Sequence, residues 1–200
     1  MANVSYEQFK EIQRLEEEWW RGNAGPGLYD HTVGGWGIYD QHFRPYYLPQ
    51  YRAVADVGCG PIPHICDPLI VAQERIGIDP LIDKYMKVNY FQTYLKQLNA
   101  WFRDIAEAPG GFFDGVFCEN TMDHCYEPEE TLNELYRIAA PGGRLYFYVD
   151  VDKPPDQLHP HRLASATLVE SLSGLFKPLL CEIKPSWKFA NPVLWFVGIR

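Results

Sequence analysis

The chain has 200 residues, 46% of them hydrophobic, which is enough for one domain with a sizeable core and too few for two full ones. A formal net charge of −8 argues against a nucleic-acid backbone or an anionic membrane as partner, because both demand a basic surface. The start Met1–Ser5 is polar and no apolar run approaches the ~20 residues that span a bilayer, so a soluble, cytoplasmic protein is expected.

Ser5-Tyr6-Glu7-Gln8 has the capping-box pattern, and Tyr6, Phe9, Ile12, Leu15, Trp19 and Trp20 follow at helical spacing. A helix over 5–21 is predicted, its apolar stripe packing on the sheet edge in preference to covering a cleft, with Glu16, Glu17 and Glu18 as a solvated face. Residues 22–50 are rich in Gly, Pro and Tyr and read as an irregular lid carrying His31 and His42. Residues 1–50 are thus a helix and lid in front of a main unit, 51–200.

From Tyr51 strands and helices alternate. Strands are expected near 52–57, 75–79, 99–103, 113–118 and 144–150, and helices near 63–73, 80–97, 128–140 and 160–173, giving a mostly parallel sheet covered on both faces. Pro128 suits a helix start and Pro141-Gly142 a stop. The apolar runs 176–184 and 192–199 leave no room for a crossover helix and should form an antiparallel hairpin. The fold class is α/β, three-layered and Rossmann-like, with a seven-stranded sheet.

Within this frame, Ala53-Val54-Ala55-Asp56-Val57-Gly58-Cys59-Gly60-Pro61 runs from a strand into a loop with two glycines, and Asp79 lies 21 residues beyond Gly58 at the end of the next strand. Glycines let the backbone approach a ligand, and a carboxylate there can accept hydrogen bonds from ribose hydroxyls. A dinucleotide fingerprint needs a third glycine where Pro63 stands, so a pyrophosphate loses its central contact and a nicotinamide-dependent reductase is disfavoured.

The segment DVGCGPIP resembles the first motif of class I S-adenosylmethionine-dependent methyltransferases. Asp104 in 102–109 is placed like that family's D-A-E-x-L-P element, and Phe113–Asn120 is similar to its F-D-x-V strand. Met122-Asp123-His124 resembles its E-H turn, and 132–145 its L-x-E-x-x-R-x-L-x-P-G-G-x-L run. Ile62 stands where a third glycine is common, and Ala108 and Ala139 replace usual leucines.

The resemblance implies S-adenosyl-L-methionine as cofactor, with Asp56, Gly58, Cys59, Gly60 and Pro61 at the methionine end and Asp79 at the ribose. Pro80 and Leu81 would lie on the adenine face, Asp104 and Ile105 at its edge, and Cys118 and Glu119 beneath the sulfonium. It also implies, together with the aromatic content, methylation of a small-molecule or saccharide-like acceptor at oxygen, and Glu119-Asn120-Thr121-Met122, standing where base N-methyltransferases carry D/N-P-P-Y/F, argues against transfer to an exocyclic base nitrogen. His124, with Asp123 second, is the candidate general base. The alternative is a cofactor-binding module of a larger assembly without catalysis; a homodimer is compatible with either.

His159 and His161, near Asp150 and Asp152, read as a solvated loop; these groups could hold a divalent ion, but no ligand spacing supports one and no metal is expected. Cysteines 59, 66, 118, 125 and 181 contain no C-x-x-C pair and read as free thiols.

Overall fold

The structure is a computed structural model that describes residues 4–24, 41–185 and 191–200. Most of the expected lid, including His31, and the hairpin turn 186–190 lie outside the described residues.

Seven strands form one sheet in the order β3-β2-β1-β4-β5-β7-β6. They are β1 Tyr51–Val57, β2 Ala72–Ile78, β3 Ala100–Phe102, β4 Phe113–Glu119, β5 Ala139–Asp150, β6 Lys177–Pro185 and β7 Pro192–Ile199. The first five pair in parallel, whereas β7 runs antiparallel between β5 and β6. The terminal hairpin and the parallel sheet therefore both form as their residue patterns imply.

The α-helices include α1 Tyr6–Asn23, α2 Ile82–Tyr85, α3 Asn89–Leu95, α4 Pro128–Ile138 and α5 Ser165–Leu175. Alternation along the strands splits the core in two. Val116, Cys118, Leu145, Phe147, Leu194 and Phe196 meet Leu132, Leu135 and Leu172 on one face, while Val54, Phe117, Tyr146 and Trp195 meet Ile82, Tyr85, Phe91 and Leu95 on the other. Each fully buried side chain of this size stabilises the fold by roughly 1.5–3 kcal/mol. Tyr51 and Tyr146 bury their phenols without penalty because the two hydroxyls lie 2.7 Å apart and Tyr146 donates to Tyr46 O at 2.7 Å.

Three helices differ from expectation. The β1–β2 crossover holds no α-helix over 63–73, only a 3₁₀ turn at His64–Cys66. Pro61, Pro63 and Pro68 remove donors throughout the stretch, and Pro68 would clash with the carbonyl one turn back. Arg75 takes over the carbonyls instead: its guanidinium donates to Ile65 O and Ile70 O at 2.8 Å each and to Ala72 O at 3.3 Å. The helix expected over 80–97 is split into α2 and α3, because Val88 is extended (φ −99°, ψ 115°) and precedes α3 without a side-chain cap. The last helix starts at Ser165, since 160–164 are drawn out by His161, whose Nε2 lies 2.8 Å from Cys125 O.

Candidate active site

Sheet order reverses between β1 and β4, and the carboxyl ends of these strands open the crevice where ligands collect in open α/β sheets. Gly58 (φ +69°) and Gly60 (φ +54°) carry the chain out of β1 in the left-handed region. At Gly58 glycine is required twice over, since a Cβ would lie 2.2 Å from the side chain of Thr121. Thr121 in turn donates its hydroxyl to Glu119 O at 3.0 Å and Val57 O at 3.2 Å, tying the β1 and β4 exits together.

Asp79 leaves β2 beside this loop and is 5% exposed. Its Oδ2 accepts from Gly60 N at 2.9 Å and its Oδ1 from Leu81 N at 2.8 Å. Burial nevertheless pushes its carboxyl up to about 6, the two backbone bonds opposing. Leu81 is buried and Pro80 exposed at the same turn. Asp104 follows at the end of β3, exposed, its Oδ1 accepting from Ala106 N at 2.9 Å to start the turn that contains Ile105. The carboxyl ends of β1, β2 and β3 thus bring Gly58, Asp79 and Asp104 to one edge.

Beneath the loop lies a buried polar network whose key residue, His64, carried no motif signal. His64 N donates to Asp56 Oδ2 at 2.7 Å, His64 Nδ1 lies 2.5 Å from Glu119 Oε1, and Nε2 lies 3.0 Å from the Tyr47 hydroxyl. Burial alone would lower His64, but the Glu119 carboxylate outweighs it and the imidazole is raised above its usual value. Burial, with Glu119 adding repulsion, pushes Asp56 up to about 7. Asp56 and Glu119 are therefore supports of the loop: one carboxylate caps the turn at His64 and the other grips its ring. Cys59 and Pro61 are buried in the same loop. Cys118 was expected beneath the sulfonium; it is 0% exposed among core residues of the opposite sheet face, because strand alternation turns it away from Phe117.

Helix α1 covers the crevice instead of packing on the sheet edge. At one end Phe9 and Tyr6 meet the ring of Tyr126, with centroids 5.5 and 6.3 Å apart. At the other, Glu17 pairs with Lys84, and Trp20 would lie 3.7 Å from a Cβ on Gly60. Between these anchors apolar Ile12 is buried, and polar Glu16 turns inward one turn further on. Glu16 is pushed up to about 7 by burial and by the neighbouring charges of Asp79 and Asp123, with the Trp20 indole bonded to it in opposition. Glu16 and Glu17 are thus inward groups, and of the acidic run only Glu18 remains well exposed. Amphipathic periodicity located this helix but could not say that Glu16 and Glu17 would turn inward beside its apolar residues.

Asp123 is completely buried just beyond β4, with Lys153 Nζ 3.0 Å from its Oδ2 and 3.7 Å from Asp150 Oδ2. The ammonium is an ion-pair partner without hydrogen-bonding angles, so both Asp123 oxygens lack a hydrogen bond. His124 is pulled down to about 4, chiefly by burial. The shift favours the neutral imidazole and makes it a weaker base than a free one. His42, the described member of the lid pair, stacks on Trp195 at 3.9 Å between centroids.

Among the described residues no helix is long and apolar enough to cross a membrane. Residues 55–147 match the model of a family described as a methyltransferase domain. The ubiquinone biosynthesis O-methyltransferase of Chromobacterium violaceum is 24% identical over 153 residues, which cover 74% of this chain and 64% of that protein. The chain thus spans somewhat less than two thirds of the length of the curated relatives it matches. Among solved structures, Burkholderia thailandensis 1,6-didemethyltoxoflavin-N1-methyltransferase, with bound 1,6-didemethyltoxoflavin and S-adenosylhomocysteine, is similar at a TM-score of 0.68 and 14% identity, covering 100% of this chain and 92% of that one. The cyclase SpnF is similar at a TM-score of 0.65 and 15% identity, covering 98% and 93%. At such identities the likeness to the solved structures is one of fold.

Proposed function

We propose that this chain, which belongs among the class I methyltransferases by its fold and by the domain match over residues 55–147, binds S-adenosyl-L-methionine and methylates a small-molecule or saccharide-like acceptor, at oxygen, in the cytoplasm. The observation that carries the reading is the Asp79 carboxylate, fixed by Gly60 N and Leu81 N in the crevice that two left-handed glycines open. Asp79 Oδ2 and Oδ1 each keep a lone pair for a ribose hydroxyl. Tyr85, whose buried hydroxyl has no hydrogen-bond partner and lies within the influence of Asp79 and Glu16, offers a further donor on the same floor.

The sulfonium supplies an electrophilic methyl group on a good leaving group. What remains for the protein is to align the acceptor, exclude water and take up a proton. Helix α1 closes the crevice from above. Glu16, held near 7, suits proton removal at neutral pH, whereas neutral His124 suits binding an acceptor oxygen. The O-methyltransferase name of the bacterial relative supports transfer to oxygen. Asp104 and Ile105 would meet the adenine edge.

Calorimetric titration with S-adenosylhomocysteine, run beside NAD, tests the cofactor; a response to NAD alone would overturn it. A panel of hydroxylated acceptors with labelled methyl donor then tests transfer. The second reading is a cofactor-binding module of a larger assembly that has lost catalysis. It predicts S-adenosylhomocysteine binding with no label transferred to any acceptor.

A further inference from the structure

We propose that Asp123, His124 and His159 form a binding site for one divalent first-row transition ion on the acceptor side of the crevice. One donor atom from each of the three lies within 4.8 Å of the others. Two imidazoles and one carboxylate are the donor set that suits zinc, iron(II), cobalt(II) or manganese(II), and less so the hard all-oxygen ions. Around such an ion, metal–ligand bonds of about 2.0–2.2 Å set donors roughly 3–3.5 Å apart, so loading draws the three inward by about an ångström.

A second observation points the same way. Both oxygens of Asp123 and Nδ1 of His124 are buried without a hydrogen-bond partner, and a buried polar atom left so costs roughly 1–3 kcal/mol. Lys153 shares its single charge between Asp123 and Asp150, which leaves the cluster with surplus negative charge that a cation would offset.

The supporting shell is already built. His159 Nδ1 lies 2.7 and 2.8 Å from the two oxygens of Asp156, leaving Nε2 as its free donor, which is the carboxylate–histidine arrangement that orients metal ligands. His124 and His159 rings sit 4.4 Å apart between centroids at 63°. The loop that carries His159 is pinned to the loop after β4 by the contact of His161 Nε2 with Cys125 O at 2.8 Å. Three protein ligands leave coordination positions open, and on the proposed methyl-transfer reading these would take an oxygen of the acceptor and lower its pKa.

The test uses the full chain stripped with chelator and titrated with cobalt(II), followed by visible ligand-field absorption and by metal content after gel filtration. One cobalt per chain is expected, displaced by zinc. His159→Gln, on a partly exposed loop, should weaken binding by more than tenfold, and Asp156→Asn by about 10–100-fold, with unchanged far-UV circular dichroism. Absence of retained cobalt, or a His159→Gln protein that binds as the parent does, overturns the site. S-adenosylhomocysteine titration of the same stripped protein is a separate measurement, so failure of the cofactor reading is distinguishable from failure of the metal site.

Discussion

The Nδ1 atom of His64 lies 2.5 Å from Glu119 Oε1, joining a proline-rich loop after the first strand to the end of the fourth. Neither residue makes sense alone in the buried floor of the crevice. Together with Asp56 they form a network in which each polar group is matched by another.

That network predicts an inverted pH dependence of stability. Asp56 (about 7), Asp79 (about 6) and Glu16 (about 7) all lie above their unfolded values, so between about pH 4 and 7 the folded chain holds protons that the unfolded chain releases. Their contribution is complete at the acid end and lost as pH rises; His64, also raised, acts in the same direction. His124, lowered to about 4, opposes them between pH 4 and 6.5. Melting temperature should therefore fall from pH 5 to 7.5, by the equivalent of a few kcal/mol, and Asp56→Asn should flatten the slope. A melting temperature that climbs over this interval would show the carboxyls to be ionised in the native state.

Asp79→Ala should weaken S-adenosylhomocysteine binding by about 1–3 kcal/mol, the usual cost of losing hydrogen bonds to a charged group. It also releases the amides of Gly60 and Leu81, so Asp79→Asn, which keeps an acceptor for one of them, should lose less. Equal affinity for all three proteins, measured by calorimetry, would remove Asp79 from the ribose site.

Gly58→Ala should destabilise the fold by about 1–3 kcal/mol, because it meets both a left-handed backbone and the Thr121 side chain. Thr121→Gly in the same chain relieves the clash but not the backbone strain, so the double variant should recover only part of the loss. Denaturant titration of the three variants measures the non-additivity.

Turnover should rise with pH through about 7 if Glu16 takes the proton. Glu16→Gln should then abolish that limb of the kcat profile, while His124→Gln lowers kcat and keeps the limb. A limb that survives in Glu16→Gln assigns the proton to another group.

Much of the sheet was legible because its determinants are local. Alternating apolar strands, two glycines after β1 and a turn-prone gap between β6 and β7 each leave a mark within about ten residues of chain. The capping box at Ser5 is equally local, and both of its hydrogen bonds form. What was not legible depends on partners distant in the chain. His64 acquires meaning only from Glu119, 55 positions on, and Glu16 only from Asp79 and Asp123. The face that Cys118 meets was not legible either, because proximity to a motif says nothing about which way a strand residue points. The missing helix at 63–73 is readable from local chemistry, since Pro61, Pro63 and Pro68 break it and Pro63 constrains the backbone as well as the loop.

The absent crossover helix also changes the electrostatics of the crevice. An α-helix starting there would aim the equivalent of about half a positive charge at whatever lies above the glycines. In its place a single turn spends the His64 amide on the Asp56 carboxylate, and the nearby ionisable groups are the acids Asp56, Asp79, Glu119 and, from α1, Glu16, with the His64 imidazole paired to Glu119. A phosphorylated nucleoside therefore finds no helix N-terminus waiting for its phosphates beside the glycines, whereas an onium-bearing one needs none, so part of the discrimination between them is written into the backbone.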